Sequence, residues 1–176
     1  MNRKKFLRHA TIGTMALAAL NTTLLGQTVQ PAQTNQTQDV PPIPLDMVKE
    51  FVIAGHGNFP KVQAMLKDNP NLIYTKFDWG NGDYEAAIEG AGHVGNKEIA
   101  TYLIGAGSRV TLYVLTMLGR TDLVKPVLEA YPSLINAKGP HGFTLLHHAK
   151  VGGKDGEELY AYLQEKGLKE DWVKLR

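Results

Sequence analysis

The chain has 176 residues, 43% of them hydrophobic, which is enough for one folded core, and it carries 19 basic against 17 acidic side chains. Four of the basic ones, Arg3, Lys4, Lys5 and Arg8, lie in the first nine positions while every acid comes later; the remainder holds 15 against 17 and offers no basic stripe for nucleic acid. No cysteine is present, which excludes disulfides, thiolate metal sites and a cysteine nucleophile, so packing alone must hold the fold.

Met1 to His9 are basic, Ala10 to Leu20 are largely apolar, and Asn21 to Thr23 interrupt the stretch before Leu24 and Leu25. That layout predicts an export signal over residues 1–26, too broken for a membrane span of roughly 20 consecutive apolar residues. The mature chain is therefore expected in the periplasm or outside the cell without a transmembrane span; retention by the N-terminal segment as an anchor is the alternative. Arg3-Lys4-Lys5-Phe6-Leu7 resembles the twin-arginine export motif with Lys4 in the place of the second arginine. The general secretory route is the alternative. Residues 27–44 are mostly glutamine, threonine, asparagine and proline, which cannot bury enough surface to offset the entropy of ordering, and read as a flexible polar linker.

After Pro44 the apolar residues fall at helical spacing in short bursts broken by glycine, proline or asparagine. Three runs align on a glycine: Gly57 to Leu66, Gly95 to Ile104 and Gly119 to Leu128. Each places apolar residues four to five and eight to nine positions after the glycine, on one face of a helix. A fourth copy, Leu159 to Leu163, comes after the insertion-like Gly152 to Gly156. Before each lies another apolar burst: Met47 to Ala54, Tyr84 to Ala91, Leu112 to Leu118, and Leu145 to Ala149. The pattern predicts helix, tight turn, helix, about four times over. Pro126 sits about one turn into its helix, past the positions where proline is free of penalty, and predicts a bent or late-starting helix there.

The stretch Gly142-Phe143-Thr144-Leu145-Leu146-His147-His148-Ala149 resembles the ankyrin pattern G-x-T-P-L-H-x-A, with Leu145 in the proline position. Gly95-Asn96-Lys97-Glu98-Ile99, with Leu103-Ile104 and Gly105-Ala106-Gly107, is similar to the ankyrin second helix and its exit. The resemblance implies a mainly α fold: a solenoid of about four helix-turn-helix repeats with short hairpin or loop fingers over residues 45–168, closed by a charged tail at 169–176. The aligned glycines are 38 and then 24 residues apart, against about 33 in the family. The short interval leaves little room for a hairpin between Gly107 and Val110, and the segment Thr75 to Asp83 is correspondingly long.

His147 occupies the ankyrin histidine position, where the resemblance implies a structural side chain hydrogen-bonded to Thr144 and neighbouring backbone. Its neighbour His148 lies about 100° away on the helix, so the two cannot share an ion, and His148 is expected to point outward. His56 and His93, one and two residues before Gly57 and Gly95, read as turn residues satisfying open carbonyls. Gly57, Gly95 and Gly119 read as turn residues needing positive φ.

Neither serine of the chain, Ser108 or Ser133, lies in a nucleophile elbow, and no glycine run has phosphate-loop spacing. Nothing raises Asp78, Asp83 or Glu85 to an acid-base pair. No catalytic residue, cofactor or metal is therefore expected.

Phe77, Trp79 and Tyr84 cluster at the long connection, where both packing and partner contact remain open readings. The expected function is a monomeric, non-catalytic protein–protein interaction module, one version of it accessory to an exported enzyme. Trp79, Tyr84, His141, Phe143 and His148 are the expected partner-binding residues, and Thr144, His147, Gly57, Gly95 and Gly119 the structural ones. The alternative is a small-ligand binder or hydrolase using a pocket beside the 75–83 loop.

Overall fold

The computed structural model describes residues 40–175, so the expected export signal, the linker up to residue 39 and Arg176 lie outside the described residues. The described residues form a mainly α fold. Helix α1 (Leu45–Gly55) buries Val48, Phe51, Val52 and Gly55, the recurrence of one helical face. Helix α2 (Phe59–Asp68) is opened by Asn58, whose side chain accepts the Lys61 N–H at 3.2 Å, and buries Val62 and Leu66. Helix α3 (Ala87–His93) is buried from Ala87 to Gly92, as befits a helix packed between neighbours. Helix α4 (Lys97–Gly105) is capped by Asn96 and buries Ile99, Ala100 and Leu103. Helices α5 (Leu112–Met117) and α6 (Thr121–Ala130) come next, then α7 (Leu145–Val151) and α8 (Glu157–Glu165). The residues buried in α2, α4 and α6 are those that the spacing from Gly57, Gly95 and Gly119 selects.

The eight helices, counted among the described residues, pack in pairs: α1 on α2, α3 on α4, α5 on α6, α7 on α8. The leading helix of each pair also packs on the leading helix of the next, α1 on α3, α3 on α5 and α5 on α7. Close approach is built into the glycines. A Cβ on Gly55 would stand 2.3 Å from the Ala87 carbonyl oxygen, so α1 and α3 meet backbone to backbone. None of the described helices is long and apolar enough to cross a membrane.

The third helix starts later than its apolar burst predicts. Tyr84 and Glu85 are extended instead, strand β2 (Tyr84–Glu85), paired antiparallel with β1 (Phe77–Asp78) in register Phe77 with Glu85 and Asp78 with Tyr84. Helix α3 begins where the Glu89 carboxylate accepts the Ala86 N–H at 2.8 Å, half of a capping box. Helix α6 does not start late: it begins at Thr121 and runs through Pro126. The missing N–H of Pro126 falls opposite the carbonyl of Asp122, an exposed residue that water can serve.

The expectation for Gly57 is corrected as well. Positive φ occurs at Gly95 (76°) and Gly119 (68°) and not at Gly57, where the chain turns on ordinary torsions. At Gly119 a Cβ would also lie 2.0 Å from the Asp155 carbonyl oxygen, whereas nothing lies within 4 Å at Gly57. Gly119→Ala should therefore cost at least ~2 kcal/mol of stability, from left-handed strain plus a backbone clash. Gly57→Ala should stay within about 0.5 kcal/mol. Urea melts of the two variants check the contrast.

Candidate functional site

The long connection between α2 and α3 folds as a β-hairpin whose turn holds three residues with positive φ, Gly80, Asn81 and Gly82. The Asp78 carboxylate accepts the Gly80 N–H at 2.8 Å and the Trp79 N–H reaches the Asp83 carbonyl at 2.9 Å. Successive strand residues face opposite sides, so when Tyr84 is turned outward, 55% exposed, Glu85 must turn inward, and it has no exposed surface.

Four segments converge on that carboxylate. His93, the last residue of α3, places Nε2 at 2.8 Å from Glu85 Oε1 and 3.0 Å from His56 Nε2. His56, just past the end of α1, donates from Nδ1 to the Val52 carbonyl at 3.0 Å, which aims its Nε2 at the centre, 3.4 Å from Glu85 Oε1. His141 places Nε2 at 3.3 Å from Glu85 Oε2, and the Trp79 indole N–H donates to the same oxygen at 2.8 Å.

Burial by itself would raise the Glu85 carboxyl. The hydrogen bonds from His56 and His93 and their charges outweigh it and hold Glu85 well below the usual carboxylate range. The same hydrogen bond raises His56 above its ordinary value, against the opposing effect of burial.

His141 is held from behind. Asp83 accepts its backbone N–H with one oxygen and its ring Nδ1 with the other, both at 2.8 Å, tying the hairpin to the turn Pro140–Gly142. His141 itself sits at φ 59°, a left-handed conformation that costs of order 1–3 kcal/mol outside glycine and persists where neighbours over-determine it. The Trp172 indole N–H adds a bond to the His141 carbonyl at 2.5 Å. The tail continues this clamp: residue Phe143 bridges Trp172, and Thr144 donates from its N–H to the Asp171 carbonyl.

The expected partner residues divide accordingly. Tyr84 is exposed and Trp79 is 37% exposed, its ring edge-on to Phe77 at 4.9 Å. His141 belongs to the buried-carboxylate cluster. Phe143 lies between flat rings, stacked on His93 at 5.0 Å and on His147 at 4.1 Å. His148 is corrected: it does not point outward, being only 1% exposed, because the face of α7 that carries it packs against α5. Its Nδ1 donates to the Thr144 carbonyl at 2.7 Å and its ring lies 5.1 Å from Tyr113. Beside Trp79, where a ligand pocket was one expectation, the Phe77 and His141 rings pack.

Thr144 caps α7 by accepting the His147 N–H at 3.4 Å and donates its hydroxyl to the Glu170 carbonyl at 2.6 Å. The His147 ring reaches across to donate from Nε2 to the His93 carbonyl at 2.8 Å. Sequence reasoning missed the convergence of His56, Glu85, His93 and His141. Its faint signal was a histidine recurring shortly before Gly57 and Gly95. No protein-family model matches this sequence, and no curated protein matches it.

The two histidines of α7 can be tested separately. His147→Ala leaves the His93 carbonyl without its partner and should cost roughly 1–3 kcal/mol in a thermal melt.

Burial brings His148 down to about 4, against which its bond to Thr144 works only partly. The unfolded chain takes up a proton at this residue below its ordinary value near 6.5, while the folded chain declines it until about 4. The contribution of His148 is whole above that ordinary value and is lost as pH falls between the two, by roughly 3 kcal/mol in total. Denaturant melts of wild type and His148→Asn across that range should differ by this slope, with the variant losing less on acidification.

Proposed function

We propose that this chain is an exported, monomeric interaction module built as an ankyrin-like stack of helix pairs, and that it recognises a protein partner through its hairpin and loop side without catalysing a reaction. The observation that carries the reading is the packing order. Leading helices lie on leading helices from α1 to α7, each with its second helix alongside, the arrangement expected of stacked repeats. The ankyrin-like run Gly142 to Ala149 supports it: Thr144 caps the helix by accepting the His147 N–H, while the His147 ring bonds the His93 carbonyl of an earlier pair instead of Thr144.

Tyr84 and Trp79 supply the docking chemistry. They stand at the hairpin with 55% and 37% of their surface exposed, and the Lys49 ammonium lies 5.7 Å from the Trp79 ring. Large aromatics of this kind dominate binding energy where a partner covers them. Lys97 and Lys125, on second helices, pair with Asp155 and Glu158 in exposed ion pairs of little energetic weight.

The test starts from the native envelope. The mature chain recovered there should begin between about Gln27 and Gln33, and cross-linking should capture a protein bound to it. Titrated against that partner, Tyr84→Ala should weaken binding by about thirtyfold, the effect of losing roughly 2 kcal/mol, with Lys97→Ala and Lys125→Ala near neutral. An intact Met1 in a cytoplasmic fraction would remove the export claim. Full binding by a folded Tyr84→Ala alongside failure of the lysine variants would put the interface on the other face.

A further inference from the structure

We propose that His56, His93, His141 and Glu85 form a divalent metal site, and that zinc is the ion it takes. The inference is independent of whether the chain binds a protein partner. One ligand atom from each residue can be chosen so that all four lie within 4.8 Å of one another; His93 Nε2 is 2.8 Å and His56 Nε2 3.4 Å from Glu85 Oε1, the two rings are 3.0 Å apart at Nε2, and His141 Nε2 is 3.3 Å from the other oxygen, Oε2. Zinc bonds of about 2.0–2.1 Å in tetrahedral geometry set ligand atoms roughly 3.3 Å apart, so the widest pair has to close by up to about 1.5 Å and the tightest to open slightly to complete the shell.

The hydrogen-bond accounting favours a cation here. The Val52 carbonyl can only accept, so His56 presents Nδ1–H to it, which leaves Nε2 as its ligand atom, turned to the centre. Asp83, as a carboxylate, likewise takes the Nδ1–H of His141 and leaves the Nε2 lone pair of that ring opposite Glu85 Oε2. The buried Glu85 carboxylate is thus ringed by three Nε2 atoms and the Trp79 N–H. An ion bound by three Nε2 atoms and one Glu85 oxygen would displace the Nε2 protons to solvent and take over the balancing of the buried carboxylate.

The surroundings also have the form of an outer shell. Ligating histidines in metal sites give their other ring N–H to a carboxylate or a backbone carbonyl, the roles filled here by Asp83 and Val52. Glu85 offsets one of the two charges of the ion and Asp83 lies close enough to balance the other. The ligand atoms come from four separate segments, the ends of α1 and α3, strand β2 and the turn before α7. Three imidazoles and a carboxylate, with no thiolate, fit zinc under these conditions. Gly90 makes room for the set: a Cβ there would lie 2.7 Å from His56 Cε1.

The test uses the full chain, stripped with a chelator, titrated with zinc by calorimetry and with cobalt(II) by visible absorption. One ion per chain should bind, and cobalt should give the intense bands of four-coordinate geometry. Glu85→Gln and His93→Gln should each weaken zinc binding by about a hundredfold or more. Asp83→Asn, which removes no ligand, should cost about 10–100-fold. Gly90→Ala should weaken zinc while keeping helical circular dichroism, since alanine is the better helix former and only the His56 ring must move. His148→Asn should bind as wild type.

The proposal is overturned if wild type takes up neither ion, if cobalt shows only the weak bands of a six-coordinate aqueous complex, or if folded Asp83→Asn and Gly90→Ala bind zinc with unchanged affinity. Because those two variants keep all four ligands, the outcome stands even where Glu85→Gln does not fold.

Discussion

A carboxylate with no exposed surface must be paid for by its neighbours, and at Glu85 the histidines come from three other places in the chain. Breaking a buried charge pair by removing one partner costs about 3–5 kcal/mol, because the other charge is left stranded. Strand β2 supplies Glu85, the end of α1 supplies His56, the end of α3 supplies His93, and the turn before α7 supplies His141. The positions of these segments are consequently coupled. Moving any one of them unpairs the same buried oxygens.

The coupling reaches beyond adjacent helix pairs. In a stack each pair ordinarily touches only its neighbours, yet the hairpin before α3 is tied directly to the turn before α7 through Asp83 and His141. The reason lies in the short 24-residue interval between Gly95 and Gly119. No strand forms at residues 107–110, between α4 and α5. With that space free, α3 also contacts α7, and His147 reaches the His93 carbonyl. Trp172 and Asp171 in the tail then fix the far side of the same turn.

Helix placement was largely legible because it obeys a local rule. The faces that bury Val62 and Leu66, Ile99 and Leu103, and Val124 and Leu128 can be counted from their glycines. The asparagines that cap α2 and α4 stand directly after those glycines. What could not be read was long-range. Tyr84 and Glu85 belong to an apolar burst, but a hairpin partner at Phe77 and Asp78 overrides their helical spacing. His148 was misplaced because a seven-residue helix packed on two sides has little outward face. The cluster itself joins residues up to 85 positions apart, and no spacing rule for metal or acid-base motifs covers ligands drawn one each from separate turns.

The absence of cysteine gives this cluster its weight. A disulfide is one common way to constrain the loops of a small domain, and this chain has no cysteine to form one. Its two longest excursions from the helices, the hairpin at residues 77–85 and the turn with its approach at 137–144, are instead held to each other by Asp83 and by Glu85. Such a clasp depends on charge as a disulfide does not. Its strength is set by what sits among the histidines, so anything that neutralises or bridges them also sets how firmly Trp79 and Tyr84 are presented. Trp79 makes this connection explicit: its ring packs against Phe77 and Lys49 while its N–H is spent on Glu85. The half-exposed indole at the hairpin is thereby anchored to the buried carboxylate, so the proposed docking surface and the histidine cluster share one mechanical element.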